Sequence, residues 1–385
     1  MKNLSPPVIY YHSVAPQPFE GWVQNFLTFQ LAYFEDQLAY LKSQSCRAVF
    51  FGEWMEFRRG LKKVSGREIA LAFDDGLLDN WVYAFPLVKK YGMRFTLFVA
   101  PECVDPRDIV RPTLEDVWNG RCREEDLQGL GYLSWKELKL MHESGVVDIQ
   151  SHTMTHAKYT ASSRLDGFYY GGFKGLHPIL NAEPSLRSNY MNDPAFESRL
   201  PLGTPLFHER SAAVVRINTI NPDFLAEAGA EAAKQDLSDP GQRPAYEQAV
   251  MKLYGEYKSA GKLVESVETE ADYQARLRYE VVHSKQVIEE QLNKTVDFLC
   301  WPHGDNTMEA HALALEAGYQ ATTAGKLTGE GNQTDRIPRI GAHWELGTWL
   351  NRRKFHYKIA SHYHRQPYYT FWLANEYKNR ILNKS

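Results

Sequence analysis

Two adjacent carboxylates directly follow an apolar run and could share one chemical site. Asp74 and Asp75 come immediately after residues 68–73 (EIALAF), and Gly76 follows them. Carboxylates at a strand end repel each other, so the pair is unfavourable unless a cation or hydrogen bonds compensate. Gly76 permits a turn that brings both side chains into one cavity. The pattern predicts a polar site here, with an ordinary solvated turn as the alternative.

A pair of histidines has the spacing of metal ligands. His152 and His156 stand at positions i and i+4, which share one face of a helical turn. A zinc protease would carry H-E-x-x-H, but Thr153 occupies the position of that glutamate, so this class is excluded. With an aspartate from the other strand end, the pair predicts a His₂Asp metal site that leaves positions open for water and substrate.

A third polar segment ends a later predicted strand. Residues 301–305 read Trp-Pro-His-Gly-Asp, with His303 between the proline and the glycine. A strand end followed by proline and glycine presents backbone N–H groups outward, and such groups can stabilise an oxyanion. Taken alone, the segment is equally well a turn without chemistry.

Elements of alternating type must position these segments. The predicted strands are residues 8–13, 47–51, 68–73, 95–100, 146–150, 296–301, 319–323 and 336–340. The predicted helices include residues 79–91, 134–145 with a capping box at Ser134 and Glu137, 273–293, and 306–317 with Asn306 as its cap. This alternation predicts a layered or barrel α/β fold, in which sites lie at the carboxyl ends of parallel strands.

Residues 159–272 interrupt the alternation. They contain YYGGFKG, proline-punctuated stretches and an Ala/Glu-rich patch. We predict four parts: a first barrel part over residues 1–158, an insertion or lid-like excursion over 159–272, a second barrel part over 273–345 and a tail over 346–385. A long irregular segment is either a structural elaboration or a cover for an active site.

Composition excludes several classes of protein. Of the 385 residues, 43% are hydrophobic and 24% charged, which is ordinary for a globular domain and excludes a disordered, collagen-like or coiled-coil chain. The net charge of −3 provides no basic footprint for nucleic acid. The four cysteines form no C-x-x-C pair. Because neither a signal-peptide core nor a run of about 18 apolar residues occurs, a cytoplasmic location is expected.

The tail differs in charge from the rest of the chain. Residues 350–385 contain eight lysines or arginines and one glutamate, a net charge of +7, together with eight aromatic side chains. Such a segment either closes the barrel as a helix that leaves its charges in water, or makes peripheral contact with an anionic membrane.

Taken in order, the three polar segments resemble the motifs of the polysaccharide deacetylase family, also called carbohydrate esterase family 4 or the NodB homology domain. Residues 72–76 (AFDDG) resemble its first motif, T-F-D-D-G. Residues 152–156 (HTMTH) resemble the second motif, which has two histidines, and residues 301–304 (WPHG) resemble the third. Residues 11–13 (YHS) resemble a segment at the first strand of many members. The resemblance covers about residues 8–341, interrupted by the excursion.

This resemblance implies a distorted (β/α)₇ barrel and an enzyme that removes an N-acetyl or other N-acyl group from an amino sugar, a hydrolase of non-peptide C–N bonds. Asp74 would be the general base, and the backbone N–H of His303 would help to bind the oxyanion. Asp75, His152 and His156 would hold a divalent metal, with Zn²⁺ the expected ion. Such a cation polarises an amide carbonyl and acidifies bound water, and Asp74 beside it stays ionised to take a proton.

The sequence departs from the family pattern around the base and the acid. Trp301 stands where many members have the arginine that orients the base, and His303 replaces a tyrosine. The late L-x-L-x-H motif, which supplies the general acid, has only a poor match at residues 359–362 (IASH). The candidates for the acid are His12 and His343, and those for the orienting arginine are Arg336 and Arg339.

The expected function is deacetylation of a precursor of a cell-surface polysaccharide, either a sugar nucleotide or a lipid-linked saccharide. Two alternatives stay open, namely a metal-dependent amidase acting on a non-sugar amide and a carbohydrate-binding protein without activity. Bound metal and acetate release from an N-acetylhexosamine distinguish the three.

Overall fold

The computed structural model describes residues 4–20, 22, 24–171, 177–189, 191, 199–327, 329–342 and 346–382. The strands are β1 Val8–Tyr11, β2 Ser13–Ala15, β3 Thr28–Gln30, β4 Arg47–Ala48, β5 Glu68–Phe73, β6 Phe95–Val99, β7 Val147–Ser151, β8 Lys158–Phe168, β9 Pro205–Ser211, β10 Asn218–Ile220, β11 Val264–Val267, β12 Phe298–Leu299, β13 Ala321–Thr323, β14 Arg336–Ile337 and β15 Ile340–Gly341. The helices are α1 Leu31–Ser43, α2 Phe51–Arg58, α3 Phe85–Lys90, α4 Leu114–Trp118, α5 Trp135–Glu143, α6 His177–Ala182, α7 Pro222–Ala232, α8 Arg243–Ser259, α9 Glu270–Arg278, α10 Ser284–Leu292, α11 Met308–Glu316, α12 Thr348–His362 and α13 Tyr368–Leu382.

One parallel sheet forms the centre of the molecule. Its strand order is β14-β13-β12-β7-β6-β5-β1-β15, and β4 adds to β5. β14 and β15 are consecutive in the chain, separated only by Pro338 and Arg339. β14 pairs with β13 at one end of the sheet, and β15 pairs with β1 at the other. A single segment therefore joins both ends, and counting it as one strand makes seven. The distorted (β/α)₇ barrel is confirmed.

The apolar run of β5 is explained by burial on both faces. Ile69, Leu71 and Phe73 point into a cluster that lies between the sheet and helices such as α1 and α5. Ala70 and Ala72 belong to a second cluster, which includes residues of β12, β13, β14 and α2. Side chains alternate between faces along a strand, so a strand covered on both sides must be continuously apolar. This is why the sequence predicted the strand Glu68–Phe73 with correct bounds.

Some predicted elements differ from the observed ones. Residues 47–51 form a strand only at Arg47–Ala48, and a helix begins at Phe51. The long helix over residues 273–293 is α9 and α10 joined by the π-helical turn Tyr279–His283. The predicted cap Asn306 is wrong. Thr307 caps α11 instead, because the Asn306 side-chain oxygen accepts a hydrogen bond from Arg336 at 3.0 Å.

The described part of the excursion has an apolar core of its own. β8 and β9 form one antiparallel pair of strands, and β10 and β11 form a second. Phe207 and Phe224 pack in a cluster with Tyr246 and Leu263 of the same region. β8 begins at Lys158 and α9 at Glu270, beside the predicted boundaries at 159 and 272, which stay predictions.

The two tail helices differ in their packing. In α12, Phe355 and Ile359 are buried, and His362 Nε2 lies 2.9 Å from the carbonyl oxygen of Ser5. In α13, Phe371 and Tyr377 are exposed. Among the described residues, no helix combines the length and apolar character needed to cross a bilayer. The first tail helix is thus part of the barrel's packing, whereas the second presents aromatic side chains to solvent.

Candidate active site and metal centre

The two carboxylates leave β5 through a strained turn. Asp75 has a φ of +73° and Gly76 a φ of +70°. A non-glycine residue adopts this left-handed conformation at a cost of about 1–3 kcal/mol, and such strain is concentrated at functional sites. A Cβ at Gly76 would lie 3.0 Å from Val99 Cγ1, so the glycine also allows close packing against β6. The turn directs Asp74 and Asp75 into the same cavity.

The two histidines converge through a loop, and the helical turn expected from their spacing is wrong. Residues 152–157 follow β7 without helical structure, and Thr153 and His156 have φ values of +63° and +54°. The ring centroids of His152 and His156 are nevertheless only 4.9 Å apart. The convergence of the two imidazoles therefore depends on the shape of this loop.

A buried glutamate holds the histidine loop in shape. Glu280 accepts hydrogen bonds from the backbone N–H groups of Met154 and Thr155, each at 3.1 Å, and from Thr155 Oγ1 at 2.5 Å. It lies in the π-helical turn between α9 and α10 and is 1% exposed. The sequence reasoning missed Glu280. The available signal was an acidic residue on the apolar face of a predicted helix, beside Leu277 and Val281.

Three ligand atoms from two strand ends meet beside the cavity. Asp75 Oδ1 lies 3.1 Å from His152 Nε2 and 3.2 Å from His156 Nε2. This carboxylate oxygen is buried and finds no well-oriented hydrogen-bond donor among the described residues. His152 Nδ1 lies 2.8 Å from the carbonyl oxygen of Cys300, so its Nε2 is directed to Asp75. Ligand nitrogens are commonly oriented by such an outer hydrogen bond, and this donor set fits a divalent metal.

Electrostatics keep Asp75 ionised. Burial alone would raise the pKa of Asp75, but the imidazoles of His156 and His152 hold that pKa well below its usual range. A carboxylate that stays charged when buried between two imidazoles is ready to bind a cation.

The neighbouring carboxylate is paired with an arginine. Arg339 Nη1 donates to both oxygens of Asp74 at 2.7 Å. Burial would raise the pKa of Asp74, but Arg339, His152 and His12 lower it overall. The guanidinium carbon of Arg339 lies 4.5 Å from the centroid of the Tyr10 ring, which supports it from the side.

Arg339 reaches Asp74 because of the barrel closure. It lies between β14 and β15, the segment that joins the two ends of the sheet. The other candidate, Arg336, is fully buried elsewhere and bonds to Asn306 and Thr322. Trp301, at the family's arginine position, is buried and lines the cavity.

The candidates for the general acid lie in different places. His12 Nε2 is 3.7 Å from Asp74 Oδ2, so this histidine is at the site. His343 lies outside the described residues. His362, from the weak match to the late motif, contacts the carbonyl oxygen of Ser5, which precedes β1. It therefore lies at the amino ends of the strands, whereas the site lies at their carboxyl ends. The late motif therefore supplies no acid from α12.

The third polar segment packs against the metal ligands. His303 and Gly304 have φ values of +59° and +64°, and the His303 ring centroid lies 4.6 Å from that of His156. The oxyanion role of the His303 backbone stays a prediction. The next residue, Asp305, accepts hydrogen bonds from Arg210 at 2.6 and 3.0 Å and so joins this segment to the excursion.

The two carboxylates, the four histidines around them and Arg339 open into one cavity of about 650 Å³. Its wall includes His12, Asp74, Asp75, His152, His156 and His303, with Tyr10, Tyr132, Trp301 and Arg339. A cavity of this size holds a small molecule or a few sugar units. It brings a paired carboxylate, a metal-ligand set and aromatic side chains together around one space.

The fold is that of the NodB-type (β/α) barrels. The sequence profile described as polysaccharide deacetylase matches residues 61–166, which include Asp74, Asp75, His152 and His156. Over these residues the chain is similar to the polysaccharide deacetylase family, as its motifs predicted.

Named relatives agree with this family. Poly-beta-1,6-N-acetyl-D-glucosamine N-deacetylase of Staphylococcus aureus (strain MSSA476) is 26% identical over 147 residues, covering 38% of this chain and 41% of the relative. The chain thus aligns with less than half the length of this curated relative. The structure of a de-N-acetylase from Aggregatibacter actinomycetemcomitans matches with a TM-score of 0.50 at 16% identity, over 90% of this chain and 98% of that one. At this identity the likeness concerns the fold alone.

Proposed function

We propose that this protein is a metal-dependent N-deacetylase that acts on an N-acetylated polysaccharide or its precursor. The observation that carries the proposal is the convergence of Asp75, His152 and His156 on one side of Asp74, inside a cavity large enough for sugar units. The relative in Staphylococcus aureus is named for action on poly-N-acetylglucosamine, which makes N-acetylglucosamine the first sugar to test.

Asp74 is the group that takes a proton in the proposed reaction. Its carboxylate is buried, ionised and held by Arg339 at 2.7 Å, so it is a fixed base that faces the cavity. A divalent metal bound by Asp75 and the two histidines supplies Lewis acidity to the amide carbonyl and to the attacking water. Zn²⁺ is the proposed ion, since two imidazoles and one carboxylate are a ligand set that zinc accepts.

The departing amine must receive a proton, and His12 is the proposed donor. Its Nε2 lies 3.7 Å from Asp74 Oδ2, at the same wall of the cavity. A histidine can change its charge near neutral pH, which suits a group that gives up a proton in one step and regains it in the next.

The proposed setting is the cytoplasmic side of a membrane. The four cysteines at positions 46, 103, 122 and 300 are unpaired thiols, which suits a reducing compartment. Nucleotide-linked and lipid-linked N-acetyl sugars are the saccharides available there, and the basic tail offers a means of approaching a lipid-linked one.

Acetate release measured over a panel of substrates tests the proposal. The panel contains β-1,6-linked N-acetylglucosamine oligomers, a nucleotide-linked N-acetylhexosamine, a lipid-linked N-acetyl saccharide and a simple non-sugar acetamide. Release from a saccharide, abolished by chelation and restored by Zn²⁺, is the expected result. Release from the non-sugar amide alone would favour the amidase alternative. Saccharide binding without acetate release, with metal bound, would favour the inactive carbohydrate-binding protein.

A further inference from the structure

The excursion supplies part of the cavity wall. Lys158 on β8 and Glu209 on β9 line the same cavity as Asp74 and the metal ligands. In the β8–β9 pair, Lys158 is opposite Ser211 and Thr160 is opposite Glu209. Residues opposite each other, and residues two apart along a strand, share one face of a ladder. Lys158 and Glu209 are therefore diagonal neighbours on the face that meets the cavity.

Hydrogen bonds hold the β8–β9 pair against the site. Arg210 donates to Asp305 at 2.6 and 3.0 Å, and the backbone N–H of Ser211 donates to the same carboxylate at 3.3 Å. The backbone N–H of Ala212 bonds to the carbonyl of Ala157 at 2.9 Å, next to His156. These contacts join β9 to both the third polar segment and the histidine loop, so Glu209 has a defined position relative to them.

Glu209 is partly buried where it lines the cavity. Within the described ranges it makes no hydrogen bond and no ion pair within 4.0 Å, although it is partly buried. Burial raises the pKa of Glu209 to about 7, against the effect of the Lys158 ammonium. A desolvated carboxyl without a partner is unfavourable, and a ligand that donates hydrogen bonds removes that penalty.

We propose that Glu209 and Lys158 form a saccharide-binding subsite that the excursion adds to the barrel, with Glu209 accepting hydrogen bonds from sugar hydroxyls and Lys158 donating to sugar oxygens. This inference rests on the proposed deacetylase function and deepens it. The acceptor and donor stand side by side, which matches neighbouring hydroxyl groups on a pyranose ring. When Glu209 is ionised, its charge offsets that of the Lys158 ammonium, so the subsite suits a neutral sugar better than a phosphate. Glu209 is thus a residue for substrate specificity.

Binding and turnover measurements on the intact chain test the subsite separately from the proposed deacetylase activity. Glu209→Gln and Glu209→Ala are compared with Glu265→Gln, a change at an exposed glutamate on β11 of the same excursion. The dissociation constant for a β-1,6-linked tetramer of N-acetylglucosamine is measured by calorimetry, and kcat and KM are measured from acetate release. Metal content and the thermal midpoint serve as checks on the fold.

Glu209→Ala should weaken tetramer binding and raise KM roughly tenfold, the effect of one lost hydrogen bond to a charged group, with kcat nearly unchanged. Glu209→Gln should lie between wild type and alanine, and Glu265→Gln should equal wild type. Unchanged dissociation constants in both Glu209 variants would overturn the subsite, as would a fall in kcat at constant KM, which would place Glu209 at the reacting atoms. If wild type binds the tetramer through Glu209 but releases no acetate, the proposed function fails and the subsite stands.

Discussion

Asp74 and Asp75 are identical in type and adjacent in sequence, yet their surroundings assign them different chemistry. Asp75 faces two imidazole nitrogens at 3.1 and 3.2 Å, whereas Asp74 is held by a guanidinium at 2.7 Å from both of its oxygens. Both carboxylates are ionised, because neighbouring positive charge outweighs burial at each. These surroundings suit Asp75 to the proposed ligand role and Asp74 to the proposed role of base.

Substitutions at the two aspartates should separate metal binding from catalysis. We expect Asp75→Ala to lose bound metal, because one of three protein ligands is gone. Asp74→Asn should retain metal while turnover falls by about 10²–10⁴, the contribution of a general base. Elemental analysis beside acetate release checks this, with Asp108→Asn, at a carboxylate whose side chain is 83% exposed, as the control. Equal metal loss in both variants would refute the division of roles.

Asp79, a further buried aspartate, should make stability depend on pH. Burial raises the pKa of Asp79 to about 8, although its oxygens accept hydrogen bonds from Ser13 at 2.5 Å and from Asn80 at 2.7 Å. The folded state keeps this proton up to pH 8, whereas the unfolded chain loses it near pH 4. Protonation of Asp79 therefore favours the folded state at low pH. Its contribution to the free energy of unfolding falls between pH 4 and 8 by up to about 1.4 kcal/mol per pH unit.

Asp79→Asn tests whether Asp79 lowers the stability as the pH rises, because an amide resembles the protonated acid. Urea unfolding of wild type and variant from pH 5 to 8 should show that the variant's stability declines less steeply with rising pH. Asp79→Ala should be less stable than Asp79→Asn throughout, since it loses the hydrogen bonds as well. Parallel stability curves for wild type and Asp79→Asn would show that Asp79 is ionised in the folded protein.

At the scale of the elements, the π-helical turn Tyr279–His283 shapes the candidate metal site. It carries Glu280 inward to the backbone of the histidine loop, 125 and 126 positions earlier in the chain. π-helical turns are frequent at functional sites, because the extra residue redirects a side chain. Here the redirected side chain satisfies two backbone donors that would otherwise be buried without partners.

Loss of Glu280 should weaken metal binding although the residue touches no ligand. We expect Glu280→Ala to raise the metal dissociation constant 10- to 100-fold, the usual range for outer residues that orient ligands. Glu280→Gln keeps one strong acceptor and should recover part of that loss. Competition with a chromophoric chelator measures the constants, and Glu290→Ala, at an exposed position of α10, is the control. A wild-type metal affinity in a folded Glu280→Ala protein would contradict this account.

At the scale of the whole molecule, the two helices of the tail pack differently. α12 belongs to the barrel, because Phe355 and Ile359 are buried in the main core. α13 leaves Phe371, Leu373 and Tyr377 at least 45% exposed. The tail's net charge is +7, of which residues 368–385 contribute +2. Exposed aromatics beside basic residues suit an anionic membrane surface, so any membrane contact is expected through α13.

Removal of residues 368–385 should abolish vesicle binding and leave the barrel intact. The full chain is expected to sediment with vesicles that contain anionic lipid, and less so as salt rises, because exposed charges are screened beyond about 8 Å at physiological ionic strength. The truncated chain should stay in the supernatant with its metal bound. A cut after Thr348 would be unsuitable, since it also removes the buried side chains of α12. Indifference of the full chain to anionic vesicles at low salt would make the membrane proposal wrong.

The sequence by itself determined the parts of the site that are contiguous in the chain. Asp74, Asp75, His152 and His156 could be found because an apolar run buried on both faces ends in polar residues, a pattern that local composition records. The capping box at Ser134 is equally local and was confirmed, with Ser134 accepting from the Glu137 N–H. Alternation of elements predicted a layered or barrel α/β fold, which requires no knowledge of contacts, and the resemblance to a known family implied the distorted (β/α)₇ barrel.

Only the tertiary structure decided the groups that reach the site from elsewhere. Two arginines were candidates for Asp74, and the barrel closure selects Arg339 while Arg336 is bonded to Asn306, which also removes Asn306 as a helix cap. The histidine spacing suggested a helical turn, but hydrogen bonds from the loop to Glu280 favour another conformation. Glu209 lines the cavity from the β8–β9 pair, where the sequence analysis found no motif. In each case the deciding energy comes from contacts between residues far apart in the chain, which local sequence patterns do not record.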